Sequence, residues 1–353
     1  MEDTTSVRIV VIGGAGNVGK GICQACSNHS EWHVIGVDPN FREASVPANV
    51  NVIKINSAIE DVGVKEFQSW FIAEQRMKHL HVEFIVTNDD GNRENYAHDP
   101  KLGFHNDARF KSLIKRIATT KLDSNRLECD RADNINVSVH VSYIGGSWTR
   151  LQSKPNLVVD DSSCIKEGGG SSPYEIAKTS AEINARRVSA KHAIALTFYD
   201  YISVVPNFNS NFSVNRMVRS GLEHGVIKFS PGDYGRPLLY ASKAGEFVAN
   251  QVEKQIHCYY DRNTEDDETS YETVLVPGNF VSFQTFANIA KEVIEQNCDG
   301  RSIAFETYEQ TPDELRTRCI SSREFVSDTS SVIRGLKEAA MYSLKHYFKD
   351  MRK

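Results

Sequence analysis

The sequence predicts an α/β fold: a doubly wound parallel sheet followed by a smaller C-terminal α/β domain. Three observations predict it. A β-branched run at 7–12 leads directly into a glycine-rich turn. Short apolar runs then alternate with helix-like segments over the first 200 residues, as in a parallel sheet. After about residue 205 the chain changes to helices and turn-rich loops, which indicates a second domain.

Each element follows from its local pattern. Buried parallel strands are apolar on both faces, and we expect them at 7–12, 33–38, 52–55, 82–87 and 137–142. Helices are expected at 20–26, 214–223 and 282–296. The polar stretches 123–136 and 261–268 are interpreted as an insertion and a solvated loop. The expected domains are 1–200 and 201–353, with an interleaved boundary.

Composition narrows the function classes. The 353 residues include 41 Lys+Arg and 46 Asp+Glu, a formal charge of −5, which argues against a nucleic-acid-binding surface. No membrane partner is expected, because no run of 18 apolar residues exists and the N-terminus is acidic and polar. The chain is expected to be cytoplasmic. Its scattered histidines show no metal-binding spacing.

The first candidate site is the glycine turn. Gly13, Gly16 and Gly19 follow the first strand and lead into the helix expected at 20–26, and Asn17 and Val18 between them are further cofactor-binding candidates. Such glycines permit a tight turn, a close approach to a pyrophosphate and packing of helix on strand, which makes the sheet Rossmann-type. Backbone N–H groups at the helix start then face the phosphates. The pattern predicts dinucleotide binding.

Asp38, 19 residues after Gly19, ends the second strand. An acid there accepts hydrogen bonds from the adenosine ribose hydroxyls and repels a 2′-phosphate, so it favours NAD. Nearby Arg42 could pair with a phosphate, and NADP stays open. Cys23 and Cys26 form C-x-x-C on the first helix and are interpreted as buried packing residues.

The second candidate site is Tyr174 with Lys178, a Y-x-x-x-K pattern after the fifth strand. Residues i and i+4 share one face of a helix. A free tyrosine, with a pKa near 10, is a poor acid–base group at neutral pH. The lysine ammonium and an oxidised nicotinamide would lower that pKa. The pair predicts proton transfer coupled to hydride transfer.

With these motifs the chain resembles the extended short-chain dehydrogenases/reductases, in particular the nucleotide-sugar epimerase/dehydratase branch. The resemblance runs from about residue 7 to about 340. It implies a cofactor role for Thr87 and Asn106, and a diphosphate contact for Arg236 within the segment 232–240. Residues 276–282 resemble the family's stretch before a C-terminal helix. The resemblance also implies a homodimer.

The chain departs from the family at the end of the fifth strand, where a serine pair is usual. Ser142 is the first candidate for the catalytic hydroxyl, and Ser147 the second, with a substrate-binding role. An alignment would place Tyr143 or Ile144 at the expected position. The acid pair of the 4,6-dehydratases is replaced by glycines at 145 and 146 or by Ile144 and Gly145, so that chemistry is not expected.

The predicted function is therefore an NAD-dependent epimerase of a nucleotide-linked sugar, working through a transient keto intermediate. The alternatives are an NAD(P)-dependent dehydrogenase or reductase of a sugar or other alcohol or ketone, and a catalytically degenerate dinucleotide-binding regulator. His79 and His81 are interpreted as strand-edge or surface residues, and His140 as a satisfied core residue. Arg150, Arg216 and Arg219 are weaker candidates for an anion contact.

Overall fold

The computed structural model describes residues 5–41, 51–72, 77–87, 98–99, 101–129, 136–146, 173–201, 203–208, 210, 212–231, 235–261, 271–276, 278–308 and 329–351. The strands are β1 Thr5–Ile12, β2 Trp32–Val37, β3 Val52–Ile55, β4 His79–Val86, β5 Asn136–Gly146, β6 Ala195–Tyr201, β7 Val204–Val205, β8 Val226–Phe229, β9 Gly235–Tyr240, β10 Tyr271–Leu275, β11 Asn279–Ser282 and β12 Ala304–Thr307. The helices are α1 Asn17–Cys26, α2 Val64–Ser69, α3 Leu102–Cys129, α4 Pro173–Lys191, α5 Ser213–His224, α6 Ala241–Asp261, α7 Phe283–Asn297 and α8 Thr329–Asp350.

Within the described chain, seven strands form the central parallel sheet, in the order β10-β6-β5-β4-β1-β2-β3. The order reverses at β1, which pairs with β2 on one side and β4 on the other. Ile12 is level with Val37 and Val86 at the carboxyl ends of these strands. The predicted doubly wound sheet is confirmed, and ligands of such sheets bind at this point of reversal.

The two faces of the sheet differ in chemistry. One face carries a continuous apolar core that α3 covers with Phe110, Leu113 and Ile114. The other face packs against α1, whose Cys23 and Cys26 are fully buried. Burial raises the pKa of the Cys23 thiol to about 12 and also raises that of Cys26. The packing role predicted for this pair is confirmed.

The chain divides into two compact units, and the division is interleaved. The first unit combines the segments Met1–Arg150, Glu167–Asp200 and Ser242–Val276. The second includes Tyr201–Ala241 and Pro277–Lys353. Its core lies among α5, α7 and α8, with Val218, Phe286 and Leu336 buried. Among the described residues, no helix has the length and apolar character needed to cross a bilayer.

Two predicted helices of the second unit are confirmed, and the first part of a stretch interpreted as an insertion is helical. Ser282 caps α7, where its hydroxyl accepts the Thr285 N–H at 3.2 Å. The stretch interpreted as an insertion at 123–136 is helical up to Cys129. Its Arg, Leu and Glu residues are good helix formers, so α3 continues despite the polar composition of this stretch.

Candidate functional site

The glycine turn lies where the sequence predicts it, between β1 and α1. Gly13 has a φ of +82°, a left-handed conformation that favours glycine. Its N–H donates to the Val37 carbonyl at 2.8 Å. A Cβ at Gly19 would overlap the Gly13 carbonyl. The turn is tight because both residues lack a side chain.

The start of α1 has the features of an anion site. Gly16 is the N-cap, no side chain caps the helix, and its first turn holds no acidic residue. The N–H groups of the first turn of a helix have no acceptor within the helix itself. A pyrophosphate would satisfy such groups and interact favourably with the helix dipole. The cradle therefore fits a dinucleotide.

Asp38 follows β2 and lies beside the turn. Its Oδ2 accepts the Ala15 N–H at 3.2 Å, and its Oδ1 accepts the Asn40 N–H at 2.7 Å. A carboxylate has about four lone-pair sites, so two bonds leave capacity for ribose hydroxyls. The structure thus brings the glycine turn and Asp38 together. Arg42 lies outside the described residues.

Thr87 joins the end of β4 to the same turn. Its hydroxyl donates to the Ile12 carbonyl at 2.8 Å, and its N–H reaches that carbonyl at 2.9 Å. A Cβ on Gly13 would overlap the Thr87 hydroxyl. Thr87 therefore lies against the glycine turn, on the β4 side of the strand reversal.

The predicted catalytic pair lies on α4. Pro173 is the first residue of this helix, a position where its missing N–H costs nothing. Tyr174 and Lys178 are one helical turn apart, and their side chains lie outside the described residues. Asn106 is partly buried in α3, and the next residue, Asp107, accepts a hydrogen bond from Asn184 of α4. That bond ties the two helices together.

Ser142 lies one residue before the carboxyl end of the sheet, where the ligands of such sheets bind. It is level with Ile85, while Tyr143 is level with Val86 at the strand end. Its side chain is fully buried, on the face that carries Glu83. The catalytic role of Ser142 stays a prediction. Ser147 and Arg150 lie outside the described residues, as does the side chain of Arg236, whose backbone is in β9.

The end of β5 explains the absence of a dehydratase-type acid. Tyr143 stacks on Phe198 of β6, with ring centroids 5.2 Å apart. A Cβ at Gly145 would overlap the Phe198 ring. A side chain at 145 would therefore require this aromatic stack to move, so glycine there follows from packing.

Arg216 and Arg219 of α5 are both exposed.

Sequence reasoning missed a buried polar cluster on the second face of the sheet. Glu83 of β4 is fully buried, and its carboxylate accepts from His140 Nδ1 at 2.9 Å and lies 3.3 Å from His81 Nε2. Burial raises the Glu83 pKa, but the charge on His140 and hydrogen bonds from both histidines outweigh it and hold the pKa at about 2.

The cluster extends across three strands. Ser138 lies 2.9 Å from His81 Nδ1, Thr197 lies 3.2 Å from His140 Nε2, and Gln255 of α6 donates to Thr197 at 2.8 Å. The surface or edge position expected for His81 is wrong, because its ring is buried. The satisfied core role of His140 is confirmed. Polar residues at alternate positions of neighbouring strands were the signal available in the sequence.

Comparison with known proteins extends the description of the fold. No protein-family model and no curated protein matches this sequence. The chain is similar in structure to UDP-N-acetylglucosamine 4-epimerase from Methanobrevibacter ruminantium M1, with 14% identity, 97% of this chain and 100% of that one covered, and a TM-score of 0.58.

Two further solved structures are also similar to this chain. UDP-glucuronic acid 4-epimerase from Bacillus cereus, in complex with UDP-glucuronic acid and NAD, shares 14% identity over 96% of this chain and 100% of its own, with a TM-score of 0.59. A UDP-glucose 4-epimerase shares 13% identity over 96% and 98%, with a TM-score of 0.60. The chain therefore has the fold of these sugar-nucleotide epimerases, as its resemblance to extended short-chain dehydrogenases/reductases implied.

Proposed function

We propose that this protein is an NAD-dependent epimerase of a nucleotide-linked sugar that works through a transient keto intermediate. The observation that carries the proposal is the cradle formed by Gly13, the start of α1, Asp38 and Thr87 at the strand reversal. It occurs in a fold shared with three 4-epimerases of UDP-sugars. Tyr174 and Lys178 follow on α4.

In this proposal each residue has one task. Tyr174 removes the proton from the reacting hydroxyl, and Lys178 stabilises the resulting phenolate by its charge. When bound, NAD would accept a hydride from the sugar carbon and return that hydride to the other face of the same carbon. Asp38 holds the adenosine ribose, and Arg236 contacts the diphosphate of the substrate. Ser142 or Ser147 orients the reacting oxygen.

The test is incubation of the purified protein with NAD and a panel of nucleotide sugars. We expect an isomeric product without a lasting change in absorbance at 340 nm. A lasting rise would instead support the dehydrogenase alternative. If no nucleotide sugar of the panel gives a product or an absorbance change, both enzyme proposals are wrong.

One observation favours a second candidate, a dinucleotide-binding regulator with a degenerate active site. The family has a serine hydroxyl at the end of the fifth strand. Among the last described residues of β5, from Tyr143 to Gly146, the only hydroxyl is the phenol of Tyr143. Binding of NAD without turnover of any sugar nucleotide would support this candidate.

Asp38 sets the predicted preference for NAD over NADP. Replacing Asp38 by serine removes the negative charge that repels a 2′-phosphate and one acceptor for the ribose hydroxyls. We expect the ratio of NADP to NAD affinity to rise by at least about tenfold, which is about 1.4 kcal/mol. Calorimetric titration of both dinucleotides measures it. Asp350→Ser, on the exposed end of α8, is the control; an unchanged ratio in D38S would contradict the assignment.

We further propose a homodimer that pairs through α3 and α4. These helices pack against each other, and each exposes two large apolar side chains: Phe104 and Leu122 on α3, Ile176 and Ile183 on α4. Their spacings of 18 and 7 residues return to the same helix face. The double variant Leu122→Asp/Ile183→Asp should be monomeric by light scattering. Val64→Asp, also an exposed apolar residue, should stay dimeric; a monomeric wild type would contradict the proposal.

A further inference from the structure

Phe41 folds back from the turn after β2 onto two glycines that the Gly13-Gly16-Gly19 pattern does not explain. Its N–H donates to the Asp38 carbonyl at 3.3 Å, and its side chain is buried. A Cβ at Gly14 would lie 2.8 Å from the ring, and a Cβ at Gly36 would lie 2.5 Å from it. Both distances are far shorter than a carbon–carbon contact allows. The ring therefore occupies the space that side chains at 14 and 36 would need.

The two glycines belong to the two segments that Asp38 connects. Gly14 is in the cofactor turn, and its N–H points to the Val37 carbonyl at 3.3 Å. Gly36 is in β2, two residues before Asp38. The ring thus packs on the turn and on the strand at once. The hydrogen bond from the Ala15 N–H to Asp38, 3.2 Å long, also joins the glycine turn to the end of β2. The Phe41 ring and the Asp38 carboxylate therefore set the distance between the turn and the strand together.

We propose that Phe41 is a positioning residue for the adenosine side of the dinucleotide site. By holding the glycine turn against β2, it keeps the Asp38 carboxylate and the first-turn N–H groups in the arrangement that the ligand needs. A site that is already ordered binds more tightly, because less conformational freedom is lost on binding. The inference rests on the proposed NAD site.

The geometry allows a size-complementation test. Phe41→Ala leaves a space beside Gly36, and Gly36→Ala adds a methyl group into the space that the ring fills. Together the two changes should offset each other, since the next contact of the added methyl group, Cys23 Sγ at 3.5 Å, is an ordinary one. Phe41→Leu keeps apolar volume and should fall between wild type and Phe41→Ala.

The experiment measures the NAD dissociation constant of the full chain by calorimetry for wild type, F41A, F41L, G36A and the double variant, each at a temperature where it is folded. We expect each alanine single variant to weaken NAD binding at least about tenfold. The double variant should recover part of that loss. The thermal midpoint of each variant is recorded separately, because a merely structural role would lower it without changing the dissociation constant.

The outcomes separate this inference from the proposed function. If wild type binds NAD and F41A binds it equally well, the positioning role is wrong while the proposed site stands. If the double variant binds no better than the singles, the complementary packing of ring and glycines is wrong. If wild type binds no NAD, both the proposed function and the positioning role are overturned.

Discussion

Replacing Tyr174 by phenylalanine should lower kcat for epimerisation by about 10²- to 10⁴-fold, the usual contribution of a positioned acid–base group. The variant keeps the ring and loses only the hydroxyl that we propose exchanges the proton. The NAD dissociation constant should change far less than kcat, because in the proposed site the glycine turn and Asp38 hold the adenosine half. Initial rates with the best substrate of the nucleotide-sugar panel, together with calorimetric NAD binding, measure both quantities.

The matched control is Tyr342→Phe, which removes the hydroxyl of an exposed tyrosine on α8. It should leave both kcat and NAD affinity at the wild-type value. Retention of wild-type kcat by Y174F would contradict the catalytic assignment. Loss of activity in both variants would point to a general effect of hydroxyl removal rather than to proton transfer.

Replacing Glu83 by glutamine should destabilise the protein by roughly 3–5 kcal/mol, the usual cost of breaking a buried charge pair. The carboxylate is fully buried and bonded to both histidines, and the neutral amide cannot replace its charge. Denaturant unfolding at pH 7 measures the difference. Glu306→Gln, at an exposed ion pair with Lys228, is the control and should cost no more than about 1 kcal/mol.

The Glu83 contribution also has a defined pH dependence. Its pKa is about 2 in the folded chain, below the ordinary value of 4.5. The contribution is therefore complete above pH 4.5 and is lost as the pH falls toward 2, since the unfolded state binds the proton first. The stability gap between wild type and E83Q should narrow over this window. An equal gap at pH 7 and at pH 3 would contradict the paired carboxylate.

The parts of the site that are local in sequence could be predicted from the sequence. The turn through Gly13 and Gly19 and the position of Asp38 depend on a few neighbouring residues and on the strand–turn–helix order. The alternation of apolar runs likewise predicted five of the seven strands that the described central sheet contains, β1 to β5, because each of these buried strands has its own local pattern. These features can be predicted without knowing which strands pair with each other.

The features that depend on register could not be predicted. The depth of Ser142 depends on the pairing of β5 with β4, and a shift by one residue turns a side chain to the other face. The Glu83 cluster combines residues of three strands and a helix, and the alternating polar residues of each strand indicate such a cluster only once the pairing of the strands is known. The glycines at 14 and 36 likewise gain their meaning only from the ring of Phe41.

The proposed epimerisation requires that one hydride leave the sugar carbon and return to its opposite face within one active site. The most direct measurement uses a nucleotide sugar that carries deuterium at the reacting carbon, with the epimeric product analysed by mass spectrometry and proton NMR. We expect inversion at that carbon with the deuterium retained there. Product that has lost its deuterium to solvent would contradict the account.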